Sequence, residues 1–262
     1  MSALRTLYIR FKSLLPEPLR ETLSAVNQRF FARRTVQRKY GGWFDVDWRK
    51  KFHSLSDEEW TRAYDEAWKH HGNRCVEETD EEMILAALGA TGSVLEVGCG
   101  AGTLAVRLAK EGFQVTGFDV SFEALKKAEE QAQREEVVVV WKQGFVEHLP
   151  LADQSFDYVT CCHTLEHVKD LQRSTSELRR VARKKIVVLT PQQKFRMYAE
   201  NYHTQFFETQ EQLIEAFGLK QYTCREIDCI DHRNEFQGKA FLYVGLLEEP
   251  PNDAVPLPND RL

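Results

Sequence analysis

The chain has 262 residues, 42% of them hydrophobic and 29% charged, with a formal net charge of −5. That suits one mid-sized globular domain with an appendage and excludes a disordered or fibrous chain. There is no run of roughly 18 or more apolar residues, no continuous apolar leader and, among six cysteines, no C-x-x-C pair. The expectation is therefore no membrane span, no signal peptide, no zinc ribbon or disulfide framework, and reduced thiols in the cytoplasm.

The charge is unevenly spread: residues 1–40 carry nine Lys/Arg against Glu17 and Glu21, a net +7, leaving −12 for the rest. Leu4, Leu7, Tyr8, Phe11, Leu14 and Leu15 share one helical face, flanked or opposed by Arg5, Arg10 and Lys12. Pro16-Glu17-Pro18 breaks that helix, and Leu19, Leu23, Val26 and Phe30 stripe a second one. Such a basic amphipathic stretch can pack as a lid or lie peripherally on an anionic membrane surface. Nucleic-acid binding is disfavoured, because no stacking-aromatic module accompanies the charges. Residues 41–80 are aromatic and polar together. Ser56-Asp57-Glu58-Glu59 is a capping-box start for a helix bearing Trp60, Tyr64 and Trp68 at intervals of four, a stripe suited to a core. Residues 1–80 thus read as a helical N-terminal cap, with Glu81–Leu88 a helix leading into the first strand.

Val94-Leu95-Glu96-Val97 reads as a buried strand, Gly98-Cys99-Gly100-Ala101-Gly102 as a tight turn, and Thr103–Lys110 as a helix. This opening of a βαβ unit presents a ligand to backbone N–H groups at a helix N-terminus. A dinucleotide turn needs Gly or Ala where Thr103 stands, and a phosphate loop needs Gly-Lys-Ser/Thr. Glu96 at the mouth of the turn opposes a pyrophosphate and favours a cation. A positively charged nucleoside without phosphate fits best. Gln114–Asp119 is a second strand ending in an acid about 20 residues beyond the turn, the spacing of a ribose-binding carboxylate. Phe118 or Val120 can lie against an adenine.

The pattern Glu96-x-Gly98-x-Gly100-x-Gly102 with Asp119 resembles the first motifs of the class I S-adenosylmethionine (SAM) methyltransferases. The resemblance implies an α/β, Rossmann-like seven-stranded mostly parallel sheet behind the cap, spanning residues 81–248, with SAM as cofactor. Glu96, Gly98, Gly100, Gly102, Phe118, Asp119, Val120, Phe145, Val146 and His163 are the expected cofactor contacts.

Ser121 can cap a helix from Phe122 to about Arg134. Val137–Trp141 reads as a buried third strand. Gly144-Phe145-Val146-Glu147 resembles the family's adenine loop, with Phe145 where the family usually has Asp. Adenine recognition then falls to backbone groups at Phe145 and Val146, or to Glu147. Ser155–Cys162 reads as the fourth strand, and His163-Thr164-Leu165-Glu166-His167-Val168 leaves its C-terminal edge, where ligands of open α/β sheets bind. Phe156-Asp157-x-Val159 with Leu165-Glu166-His167-Val168 resembles the ubiquinone/menaquinone-type subgroup, type 11. A helix over Leu171–Val181, a strand over Ile186–Leu189, a helix over Gln210–Phe217 and terminal strands over Lys220–Arg225 and Lys239–Leu247 complete the likeness. Residues 249–262, rich in proline, read as a disordered tail.

The chemistry is expected at His163, Glu166, His167 and His203. A hydroxyl acceptor must lose its proton to a base or to a metal. In resembling O-methyltransferases a Glu-x-x-Glu-His segment holds a divalent ion. Here it is His163-x-x-Glu166-His167, with His203 as a distal ligand, a set compatible with Zn, Mn or Fe. The alternatives are a histidine base without metal, and His167 as a mere brace. The leading reading is O-methylation of a small hydroxylated molecule: a sugar, phenol or quinone precursor. Its rivals are N- or C-methylation, RNA 2′-O-methylation, and a catalytically silent SAM-binding partner.

Overall fold

The computed structural model describes residues 14–16, 18–20, 22–23, 32–40, 42, 44–70, 72, 76–198, 201–231 and 236–247. The first amphipathic segment up to residue 13, Val26 and Phe30 of the second, and the tail 249–262 lie outside the described residues.

Among the described residues the sheet is preceded by α1 (Arg33–Tyr40), α2 (Trp48–Lys51), α3 (Asp57–His70) and α4 (Glu78–Leu88). Then follow β1 (Ser93–Val97), α5 (Thr103–Lys110), β2 (Gln114–Asp119), α6 (Phe122–Arg134), β3 (Val139–Gln143) and β4 (Phe156–Cys162). The chain continues through α7 (Leu171–Val181), β5 (Ala182–Pro191), α8 (Gln210–Phe217), β6 (Gln221–Asp231) and β7 (Phe236–Leu246). The seven strands lie in the order β3-β2-β1-β4-β5-β7-β6. Strands β1–β5 are parallel, and the β6–β7 hairpin closes the sheet antiparallel to β5. The order reverses between β1 and β4, which creates the crevice where open α/β sheets take ligands.

Alternation along the strands supplies two cores, one on each face. Leu95, Val97, Val159, Cys161, Ile186 and Val188 pack with Leu178, Val181, Leu213 and Phe217 of α7 and α8. Val94, Val115, Tyr158, Val187 and Leu189 pack with Ile84, Leu88, Leu104 and Leu108 of α4 and α5. The remaining helices build a third core of Val36, Phe44, Val46, Trp48, Phe52, Trp60 and Tyr202. Trp48 stands 4.7 Å from both Trp60 and Tyr202, and its indole N–H donates to the Tyr202 carbonyl at 3.1 Å. The capping box of α3 is formed: Ser56 N donates to Glu59 Oε2 at 2.9 Å and Glu59 N to Ser56 Oγ at 3.2 Å.

Four strands depart from the sequence reading, β7 by starting at Phe236 rather than Lys239. The third is shifted to 139–143 and is an edge, not a buried strand: Val138 is 88% and Val140 52% exposed. Its apolar run resembles a central strand, but its outermost position leaves one side uncovered. β5 extends back to Ala182 through Arg183-Lys184-Lys185, whose charges mask strand character. Arg183 and Lys184 pair with Asp157 at 2.6 and 3.0 Å. β6 runs on to Asp231 because its pairing with β7 continues through Ile227–Ala240 and Cys229–Gly238.

Candidate functional site

The turn after β1 is left-handed at Gly98 (φ +70°) and Gly102 (φ +80°), a conformation that costs other residues about 1–2 kcal/mol. A Cβ on Gly98 would run into the Thr164 side chain, and one on Gly102 would lie 2.8 Å from Ala128 Cβ. β2 closes the turn: Gly98 N donates to the Phe118 carbonyl at 2.7 Å, and Gly100 N to Asp119 Oδ2 at 2.9 Å. Asp119 Oδ1 takes the Ser121 N–H at 2.9 Å. Burial pushes the Asp119 carboxyl up to about 6, against the pull of those N–H groups. Glu96 is 1% exposed. It accepts from the Ala105 N–H in the first turn of α5, while its Oε2 is buried with no partner. Burial, helped by Asp119, pushes this acid well up. An unpaired, buried carboxyl oxygen beside a glycine turn suits a ligand that brings a donor or a positive charge to it rather than a pyrophosphate.

On the adenine side the structure divides the expected contacts. The side chains of Phe118 and Val146 are buried with the core on one face of the sheet, which leaves the backbone at Val146 for the contact read from the sequence. Phe118 lies within a central parallel strand covered on both faces, and Val146 opens a short 3-10 turn. Val120 and Phe145 instead pack against the aromatic core of the cap. Glu147 accepts from the Lys169 and Asp170 N–H groups at 2.8 and 3.3 Å, bracing the start of α7.

Beyond β4, His163 adopts φ +51°, strained for a non-glycine residue, and its N–H donates to the Leu189 carbonyl at 2.8 Å. Its ring stands between two carboxylates: Nε2 is 3.5 Å from Asp80 Oδ2 and Nδ1 is 3.7 Å from Glu166 Oε1. Burial works against the imidazolium, but Asp80 and Glu166 outweigh it and hold the proton up to about 9. Glu166 is correspondingly ionised: burial opposes its charge, and His163, with His167 and His203, brings it down to about 2. Thr190 Oγ1 donates to its Oε2 at 3.2 Å. The two carboxylates thus favour the protonated ring at His163.

His167 and His203 meet edge to face with ring centroids 4.5 Å apart, and burial lowers both imidazoles below the usual range, His203 the further. His167 is spent on both sides. Its ring donates to the Tyr202 carbonyl, and Tyr64 OH lies 3.0 Å from Nδ1. His203 Nδ1 donates to Gln193 Oε1 at 2.7 Å, since an amide oxygen only accepts. That tautomer leaves the Nε2 lone pair available.

Glu166, His167 and His203 each bring one ligand atom within 4.8 Å of the others. A metal would have to take His167 from one of its two bonds, and His163 stands outside the trio. An ion there would displace the Tyr64 hydroxyl and could leave the His167 bond to the Tyr202 carbonyl in place; the chemistry proposed below does not require one.

Sequence reasoning missed the partners that come from the cap and from α4. Besides Tyr64 and Asp80, Asp65 Oδ1 accepts from Ser121 Oγ at 2.6 Å and Glu123 N at 3.2 Å, tying α3 to the start of α6. Lys169 reaches across to Asp57 Oδ1 at 2.8 Å. The stripe of Trp60, Tyr64 and Trp68 marked the helix, but nothing in it marked the hydroxyl of Tyr64 as a site contact.

A sheet whose order reverses at β1/β4, with a glycine turn locked by an acid from the next strand, defines the Rossmann-like nucleotide-binding architecture of class I methyltransferases. Residues 95–189, about a third of the chain, match the family model described as a methyltransferase domain. The ubiquinone biosynthesis O-methyltransferase of Salmonella enteritidis is 46% identical over 80 residues, 30% of this chain and 33% of the relative. The protein of that description from Alkalilimnicola ehrlichii is 47% identical over 78 residues, 29% and 32% of the two chains. The chain thus spans about a third of the length of the curated relatives it matches. Among solved structures, YcgJ of Bacillus subtilis shares the fold with a TM-score of 0.54 at 19% identity, covering 66% of this chain and 100% of that one. A SAM-dependent methyltransferase from Methanosarcina mazei does so with 0.52 at 20%, covering 63% and 96%.

Proposed function

We propose that the chain is a SAM-dependent methyltransferase acting on a hydroxyl of a small molecule such as a phenol, quinone precursor or sugar. The observation that carries the reading is the pairing of two sites at one sheet edge. One is a phosphate-free receptor for a cationic nucleoside, made by Glu96, Gly98, Gly100, Gly102 and Asp119. The other is a neutral imidazole, His203, with its tautomer set by Gln193. Val120 and Phe145 would flank the adenine. When bound, SAM supplies an electrophilic methyl on a sulfonium. The glycine turn with Glu96 and Asp119 would hold that cofactor, and His203 Nε2 would take the proton of an acceptor hydroxyl positioned beside it. Holding the two reactants in line supplies much of the acceleration, and the base contributes typically about 10²–10⁴-fold. His163 and Glu166 form a charged pair beneath this base, and His167 braces the loop that carries it. The names of the curated relatives favour oxygen over nitrogen or carbon as the nucleophile.

Release of S-adenosylhomocysteine, measured by chromatography across a panel of small phenols, catechols and sugars, tests the reading. Turnover that disappears in His203→Ala with SAM affinity intact supports it. SAM binding without turnover on any acceptor supports the silent-partner reading, and methylation confined to amines or carbon acids supports its other rivals. The basic segment 1–40 we read as a lid, its Val36 packed in the cap core, with peripheral contact to an anionic membrane as the second reading on its net +7. Equal binding of the whole chain and a form lacking residues 1–18 to anionic vesicles would remove that second reading. No helix among the described residues is long and apolar enough to cross a membrane.

A further inference from the structure

The basic run Arg49-Lys50-Lys51 at the end of α2 is treated unequally by the fold. Lys50 pairs with Asp47 at 3.0 Å and Lys51 with Asp45 on the surface. Arg49 turns inward and is 8% exposed. Its polar contacts are neutral: Nη2 donates to the Asn201 carbonyl at 3.0 Å and to the Asn201 side-chain oxygen. The guanidinium lies over the Phe206 ring, 5.4 Å from its centroid. Nε is buried and has no acceptor, and no carboxylate among the described residues lies within ion-pair distance of Arg49. Burial brings the guanidinium down to about 10, which still leaves a full positive charge at neutral pH.

A buried cation without a counter-ion is costly, and a charge left in that state favours an anion that enters from outside. The location says which ligand would bring it. Asn201 adjoins Tyr202 and His203, and the Arg49 charge reaches both His167 and His203, making each harder to protonate. Arg49 therefore stands at the acceptor end of the site, away from the glycine turn.

We propose that Arg49 is the recognition point for a carboxylate of the methyl acceptor, which makes that acceptor a hydroxy acid or phenolic acid rather than a neutral alcohol or sugar. The inference rests on reading the His167–His203 end as the acceptor side.

The ¹⁵N resonance of the Arg49 Nε–H in the full chain tests it directly. Acetate, benzoate and 4-hydroxybenzoate are titrated at constant ionic strength, with benzamide and 4-hydroxybenzamide as neutral counterparts, both without cofactor and with S-adenosylhomocysteine bound. The Nε–H of Arg33, exposed and paired with Asp47, serves as internal reference. The expected result is a saturable shift of Arg49, caused by carboxylates and not by amides, that persists when S-adenosylhomocysteine is bound. Arg49→Met should weaken benzoate binding about 10- to 100-fold, the worth of one charged hydrogen bond. No carboxylate-specific shift would overturn the proposal. So would a shift produced by S-adenosylhomocysteine itself that leaves the site blind to benzoate, since the anion would then be the cofactor's own. The proposed function fails separately, if calorimetry finds no S-adenosylhomocysteine binding at all. Should Arg49→Met not fold, the resonance of the unmodified chain still decides.

Discussion

Replacing His163 by Gln removes a cation held between Asp80 and Glu166, and the structure says how much that should matter and at which pH. The two carboxylates, 3.5 and 3.7 Å from the ring nitrogens, hold the imidazolium up to about 9 against an ordinary value near 6.5. At about 1.4 kcal/mol per pH unit this corresponds to roughly 3 kcal/mol. The folded pKa is the raised one, so between pH 6.5 and 9 the folded state binds the proton that the unfolded chain has released. The contribution is complete below about 6.5 and declines as pH rises to about 9. On the acid side the pair persists down to the depressed value of Glu166, about 2. Urea unfolding of both proteins between pH 6 and 10 measures this. The stability difference should be near 3 kcal/mol at pH 6 and fall by up to about 1.4 kcal/mol per pH unit towards pH 9. A difference that stays flat over that interval would refute the charged sandwich.

Asp119→Asn should weaken SAM about 30-fold or more by calorimetry, through lost charge-assisted bonds. Because burial holds the acid up to about 6, SAM affinity should also fall as pH drops from 7 to 5, and equal affinity at the two values would contradict the assigned role. His203→Ala should slow turnover about 10²–10⁴-fold with SAM affinity unchanged. The kcat/KM of the unmodified enzyme should lose activity only at pH well below the imidazole range, since burial, His167 and Arg49 all lower His203. Activity should be indifferent to EDTA, and loss restored by Mn or Zn would reinstate a metal at Glu166, His167 and His203. Gly98→Ala combines about 1–2 kcal/mol of left-handed strain with displacement of Thr164. It should lower the melting temperature and weaken SAM, and a variant unchanged in both would refute the packing argument for the turn.

The local elements around the cofactor were legible in the chain because they rest on short-range physics. A β-branched run, a glycine turn and the helices begun at Ser56, Ser121 and Thr209 depend on propensity and on bonds between residues three or four apart. So α5, β2, α6, α7 and α8 fall where periodicity puts them. Strand position in the sheet is different in kind. Nothing in Val137–Trp141 says that its run ends at an edge, because the neighbour that would cover it is chosen by topology. The same limit governs the site. The sequence names His163, His167 and His203 as equals, and only the folded chain separates them, by bringing Asp80 from α4 to the first, Tyr64 from α3 to the second and Gln193 to the third. A histidine's charge and tautomer are set by what faces its two nitrogens, and those partners lie 83, 103 and 10 residues away along the chain. Arg49 carries the point furthest: it becomes a buried charge only when α2 packs against the loop at Asn201.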